Sequence, residues 1–394
     1  MPLPSDIFNP SPEHASLREM VRSFAEREVE PQAAEHDRNE TFNLPLFRKL
    51  GDLGLLGITV EERFGGSALD AVAAVIAHEE IAAADPGFCL SYLAHAMLFA
   101  NNLQQNGNDE QRARYLPAAC SGAAVCGMAM SEPAAGTDVL GMQTKARRDG
   151  DGWVLDGAKM WITNGCTTAQ ELGDTFLVYA RTSEGPKGLS LFIVDKGCPG
   201  FKLGQKLHDK LGMRASPTAE LVFDGCRVPA ANLVGAEGDA VSHMMRNLEV
   251  ERLTLAAMSL GMARRSIEIM NGYARDRKAF GRPLNHYGQI QRHIAESYAE
   301  YMAGRSYVYA TALRIDLAHS GNRIDSDGVK LYCATMAKNV ADRAIQTLGG
   351  YGYVGEYRVE RLWRDAKLIE IGGGTLEAHQ KNMTRDLATL DRIR

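Results

Sequence analysis

The chain has 394 residues, 45% hydrophobic and 24% charged, with a formal net charge of -5. That is the composition of a globular protein with room for two or three domains, and its scattered Lys and Arg give no stripe for nucleic acid. Its seven cysteines are odd in number and never fall in a C-x-x-C pair, which argues against a disulfide framework and a zinc cluster, so no metal site is expected.

Ser11-Pro12-Glu13 reads as a helix start, with Ser as N-cap and Pro in the first turn, followed by Leu17, Met20, Val21 and Phe24 on one face. Segments rich in Ala and Leu follow at 44–56, 71–84, 86–105 and 109–119, separated by Gly, Asn and Pro. Residues 1–123 are therefore expected to form an α-helical domain. From Ala124 the pattern turns to short runs such as TFLVYAR and GLSLFIVD, with a hairpin turn at DGDG (149–152), and 124–236 is expected to be an antiparallel β-domain. Helical periodicity returns in four long segments, roughly 239–275, 286–319, 325–350 and 355–390, which predicts a four-helix bundle over 237–394. The expected class is thus α+β, in the order helices, sheet, bundle. No apolar run is long enough to span a bilayer. The first residues match neither a signal nor a transit peptide, so a bacterial-type cytoplasmic location is expected, with the mitochondrial matrix open if a presequence has been removed.

Within NLEVERLTLAAM, helical spacing puts Leu248, Glu251, Leu255 and Met258 on one apolar stripe. Glu251 has no cation three or four residues away, whereas its neighbour Glu249 has Arg246 and Arg252 at spacing three and reads as a surface pair. A desolvated carboxylate without a local counter-charge has a raised pKa and suits a general base. The open alternative is a structural acid paired with an Arg of another helix. Four more stretches carry candidate chemistry: MAMSEPAAGTDV offers hydroxyls and open backbone amides, KMWITNG an indole and a hydroxyl for a flat heteroaromatic ring, and RDRKAFGRP cations for a pyrophosphate. QTLGGYG and GGGT are glycine-rich breaks outside any strand-turn-helix unit, so a Rossmann site is not indicated. Each also has a plain structural reading as a turn, a core aromatic or a helix end.

Together and in this order, MSEPAAGTDV, DGAKMWITNG, KLGMRASPTAELVFDGCRVPAANLVG, RKAFGRPL, QTLGGYGYVGEYRVERLWRDAK and IGGGT resemble the acyl-CoA dehydrogenase family from about Phe24 to Leu387. LGDLGLLGIT, LSYLAHAML, GNDEQRARYLP and RDAKLIEIGGGT are similar to the family's isovaleryl-CoA branch. The resemblance implies FAD held non-covalently, an acyl-CoA substrate, an electron-transfer flavoprotein as acceptor and a homotetramer. It further implies Met128, Met130, Ser131, Trp161 and Thr163 as flavin contacts, with Thr375 nearby. Arg277 and Phe280, with Gln346 and Gly350 of a neighbouring subunit, would hold the ADP half, and Thr137 and Arg252 would line the thioester channel.

Most members carry the catalytic acid in the segment that reads IGGGT here, at the position of Gly373; a smaller group carries it in an L-x-x-E-R pattern, which Leu248 to Arg252 matches. Both lines therefore select Glu251. The implied reaction removes the α-proton to Glu251 while hydride leaves the β-carbon for flavin N5, with the amide of Gly373 polarising the thioester carbonyl. A short or branched acyl chain is expected. Longer or citronellyl-type chains, and a same-fold oxidase, desulfinase, monooxygenase or scaffold protein, are the alternatives. Two departures from the family pattern are the longer connection CTTAQELGD (166–174) and Gly288 after Tyr287.

Overall fold

A computed structural model of the chain describes residues 6–185 and 188–392. The N-terminal part is helical: α1 (Pro12–Phe24), α2 (Glu30–Asn39), α3 (Leu44–Asp52), α4 (Ala71–Ala84), α5 (Pro86–Leu93), α6 (Asn102–Asn106) and α7 (Asp109–Cys120). A π-helical stretch, Ala94–Asn101, joins α5 to α6. The predicted cap is in place, with the Ser11 hydroxyl accepting from the His14 amide, and Pro12 occupies the first turn. Almost every residue of α4 is buried, which explains why its sequence is apolar all round rather than striped.

The strands are β1 (Cys126–Ala129), β2 (Lys145–Asp149), β3 (Gly152–Thr163), β4 (Thr175–Arg181), β5 (Leu189–Asp195), β6 (Phe201–Lys206), β7 (Thr218–Pro229) and β8 (Leu233–Val234). They form one sheet in the order β6-β7-β3-β2-β4-β5-β8, with β1 alongside β4. The expected hairpin at 149–152 joins β2 to β3, with Asp149 opposite Gly152. The sheet is nevertheless mixed, which corrects the antiparallel expectation: β1 and β2 both pair with β4 in parallel. Turn signals report neighbours joined by a tight loop, whereas parallel partners need a long crossover. Here the whole β2–β3 hairpin supplies the crossover between β1 and β4.

The C-terminal part begins with α8 (Ala240–Asp276), followed by a two-stranded ribbon of β9 (Lys278–Ala279) and β10 (Arg282–Pro283). Next come α9 (Gly288–Ala312), α10 (Arg323–Leu348), α11 (Gly350–Tyr353), α12 (Val359–Ile369) and α13 (Leu376–Leu387). The segment expected as one helix over 355–390 is therefore two. The break falls at Gly373 and Gly374, with φ of 67° and 101°, where no right-handed helix continues. Thr375 restarts the chain as N-cap of α13, its hydroxyl accepting from the Ala378 amide. That break lies against α8 at the level of Glu251.

Candidate active site

Glu251 sits in the N-terminal third of α8 and is 7% exposed. Its Oε2 is buried without a hydrogen-bond partner among the described residues. Burial pushes the carboxyl up to about 7, against the opposing charges of Arg252 and Lys330. Among the described residues no Arg of another helix pairs with Glu251, so the alternative of a clamped structural acid finds no partner there. Arg252 turns instead to Asp327 of α10, at 3.1 Å.

The turn at Gly373 closes one side of the site. A Cβ there would lie 2.2 Å from Cδ1 of Leu255 and 3.5 Å from Oε1 of Glu251, so a side chain at 373 would have to displace the Leu255 side chain. With φ in the left-handed region as well, this position accepts glycine and leaves the carboxylate to α8. The following carbonyl, Gly374 O, takes Lys330 Nζ at 2.5 Å and His379 Nε2 at 3.0 Å, and His379 Nδ1 meets Asp327 Oδ1 at 2.5 Å. Arg252, Asp327, His379 and the Gly374 carbonyl thus form a chain of contacts around the turn.

Glu249 corrects the surface-pair expectation. It is buried, and its carboxylate accepts from the amides of Gly321 and Asn322 at the start of α10. Arg246 reaches away to Asn106 and the Ala318 carbonyl. Spacing within one helix cannot foresee that another helix offers unpaired amides.

A second group of residues lies on the sheet. Met130 is buried, while Met128 and Ser131 are half-buried in and beside β1. The Ser131 carbonyl accepts from the Met160 amide at 2.9 Å, tying this loop to β3. The register of β3 on β7 slips between Lys159 and Ile162, and Trp161 adopts φ of 61°. The indole is therefore presented by a bulge rather than by regular alternation along the strand, and it is 53% exposed. Thr163, half-buried, ends the strand. A large aromatic face left open beside hydroxyl and amide groups fits a flat ring system such as a flavin. Thr137 is exposed on the loop after Ser131.

Under that loop lies a pair that sequence reasoning missed. Lys159 is fully buried and donates to Glu132 at 2.8 Å and to the Met130 carbonyl at 2.9 Å, while Glu132 also accepts the amides of Gln143 and Thr144. Burial pushes Lys159 down to about 8 against the attraction of Glu132. Tyr179 of β4 was likewise missed; it lies in the field of Glu251, and its hydroxyl accepts from Asn102 at 3.4 Å. Lys330 carried a readable signal, since it shares a helical stripe with the buried Ser326, Cys333 and Ala337.

The third group is remote. Arg277 and Phe280 follow the C-terminus of α8, and Phe280, at φ of 49° in the tight turn of the ribbon, is 97% exposed. Gln346 and Gly350 are exposed at the end of α10, where Tyr351 packs against Tyr273 of α8. Twenty-six residues separate Glu251 from Arg277, roughly 39 Å of helix at about 1.5 Å per residue. Thr375 lies beside Gly374, with its hydroxyl spent on the cap. Of the two departures, 166–174 closes as a small hairpin through a Cys166–Leu172 bridge, and Gly288 opens α9 with nothing near the place of a Cβ.

Comparison with known proteins agrees with this geometry. The N-terminal, middle and C-terminal domain models of acyl-CoA dehydrogenases match residues 11–123, 127–226 and 240–388. Mitochondrial isovaleryl-CoA dehydrogenase of Oryza sativa subsp. japonica is 43% identical over 375 residues, covering 94% of this chain and 90% of that protein. A chain from the structure of the electron transferring flavoprotein of Acidaminococcus fermentans superposes with a TM-score of 0.93 at 33% identity, covering 97% of this chain and 100% of its own. Glutaryl-CoA dehydrogenase of Mycobacterium smegmatis in complex with FADH2 superposes at 0.90 and 30% identity, over 98% of this chain and 96% of that one. No helix among the described residues is long and apolar enough to cross a membrane. The chain belongs to the acyl-CoA dehydrogenase family and is an FAD-dependent oxidoreductase.

Proposed function

We propose that this dehydrogenase oxidises a short or branched acyl-CoA, of the isovaleryl-CoA kind, to the trans-2-enoyl-CoA, with Glu251 as the base. The observation that carries the reading is the buried, unpartnered Oε2 of Glu251 beside a turn that holds glycine at 373 in the left-handed region. A carboxyl raised to about 7 holds a proton taken from carbon far better than an exposed one. The α-proton passes to Oε2, and the Gly373 amide is the donor assigned to the thioester carbonyl, since the carbonyl must be polarised for that proton to be acidic. Bound FAD supplies the acceptor for the β-hydrogen and its electron pair. Met128, Met130, Ser131, Trp161, Thr163 and Thr375 would hold its ring, and Thr137 and Arg252 would line the thioester channel. The rice isovaleryl-CoA relative supports this substrate class.

Arg277 lies roughly 39 Å of helix from Glu251, and Tyr351 packs on Tyr273 toward that end of α8, so Arg277 and Phe280, and not only Gln346 and Gly350, are assigned to the cofactor of a neighbouring copy of the chain. This supports a homo-oligomer, for which the tetramer is the expected form. An electron-transfer flavoprotein is the proposed acceptor, and a cytoplasmic or mitochondrial-matrix location is kept as the proposed compartment. Purified holoenzyme tested on isovaleryl, isobutyryl, 2-methylbutyryl, butyryl, octanoyl and citronellyl thioesters decides the substrate. Preference for octanoyl-CoA would overturn the short or branched reading.

A further inference from the structure

Lys330 is buried on the face of α10 turned toward Glu251, and the reaction just described makes no use of it. Its Nζ donates to the carbonyl of Gly374, one residue beyond Gly373. Among the described residues no carboxylate lies within ion-pair distance of it. The nearby acids are engaged elsewhere: Asp327 receives Arg252 and His379, and Glu370 receives Lys338 at 3.6 Å and Lys367 at 2.6 Å. Arg252, next to Glu251 in sequence, is the stronger of the two cations acting on that carboxyl but is paired with Asp327, whereas Lys330 is not. Lys330 makes its direct contact with a neutral carbonyl, and of the acids in its field Glu251 acts on it most strongly, ahead of Asp327 and Glu370.

We propose that Lys330 is a positioning residue for the base: its ammonium pins the Gly373–Gly374 turn beside Glu251 and keeps that carboxyl in the proton-accepting form. The inference rests on Glu251 being the base. Burial drives both groups toward neutrality, Glu251 up to about 7 and Lys330 down to about 7, and each opposes the other's shift. The charged and titratable groups around the pair are Arg252 on α8, Asp327 on α10, Glu370 after α12, His379 on α13 and Tyr179 on β4. A bound thioester would exclude water from Glu251 and make the neighbouring cation more important still.

The test compares holoenzymes carrying Lys330→Gln, which can still donate to Gly374, and Lys330→Met, which cannot. Flavin bleaching at limiting acyl-CoA is followed across about pH 5.5 to 9, together with the infrared band of protonated carboxyl isolated by subtracting the spectrum of Glu251→Gln. Loss of the cation raises the Glu251 pKa, so in both variants the acid limb should move up by about one pH unit, with the infrared band persisting to correspondingly higher pH. At about pH 6 that is a roughly tenfold slower reaction. A limb and band that stay at their wild-type positions overturn the inference. Should neither variant fold, the wild type decides: a Glu251 band that has lost most of its intensity by about pH 8 is the expected result, and a band still near full strength there shows a carboxyl that Lys330 does not keep ionised and overturns the inference. Normal bleaching by Glu251→Gln would instead sink the base assignment, whereas a dead Glu251→Gln beside unmoved Lys330 variants sinks this inference alone.

Discussion

The buried carboxylates of α4 and that of α8, two helices in contact, differ in how completely they are answered. Glu79 and Glu80 of α4 are surrounded: Glu79 accepts from Arg18, Tyr301, Arg305 and Tyr309, and Glu80 from Arg18, Arg22 and Arg264. Burial alone would raise both, but the guanidiniums overturn it, and Glu80 falls to about 2. Glu251 is buried too, yet its Oε2 is orphaned among the described residues and its carboxyl stands near 7. Burial sets the size of the electrostatic stakes; the partner count decides whether a carboxylate becomes a fixed anion of the scaffold or a group ready to take a proton.

The largest effect should come from Glu251→Gln. Flavin bleaching by acyl-CoA should drop by about 10²- to 10⁴-fold or more, with FAD content and melting temperature near wild type. Stopped-flow absorbance reads this, and retained bleaching would remove the distinction between the two acids. Glu79→Gln should do the reverse. It leaves Arg18 and Arg305 partly unanswered in the core and should cost about 3–5 kcal/mol in denaturant unfolding, while the surviving folded fraction keeps its bleaching rate.

The two sites should also respond to pH with opposite sign. Glu251 has a folded pKa above its unfolded value of 4.5, so its contribution is fully present below about 4.5 and is lost as pH rises through about 7. Wild type should therefore lose melting temperature relative to Glu251→Gln between about pH 5 and 8. Glu80 has a depressed folded pKa, so its contribution is present above about 4.5 and is lost as pH falls toward about 2. Parallel melting curves for wild type and Glu251→Gln over that range would contradict the raised carboxyl. The smallest effect is expected from Glu132→Gln, which weakens the tie between the Ser131 loop and Lys159 and should loosen FAD retention several-fold, read by cofactor loss on dialysis, without altering the acid limb.

The chain's own residues determined much of this. Periodicity and turn chemistry separated helices, strands and bundle, because 3.6-residue and two-residue repeats and the Asp-Gly hairpin are local properties. The orphan position of Glu251 on its stripe was equally local, since the cations it lacks are those of its own helix. Only the folded chain decided which acids are answered from elsewhere: Glu249 by the amides opening α10, Asp327 by Arg252 and His379, and Glu251 by no direct partner. The parallel pairing of β1 and β2 with β4, the bulge that turns out Trp161, and the break at Gly373–Gly374 were settled at the same level. Each joins segments far apart in sequence, and a pattern read along one element carries no information about the field or the hydrogen bonds that a distant one brings to it.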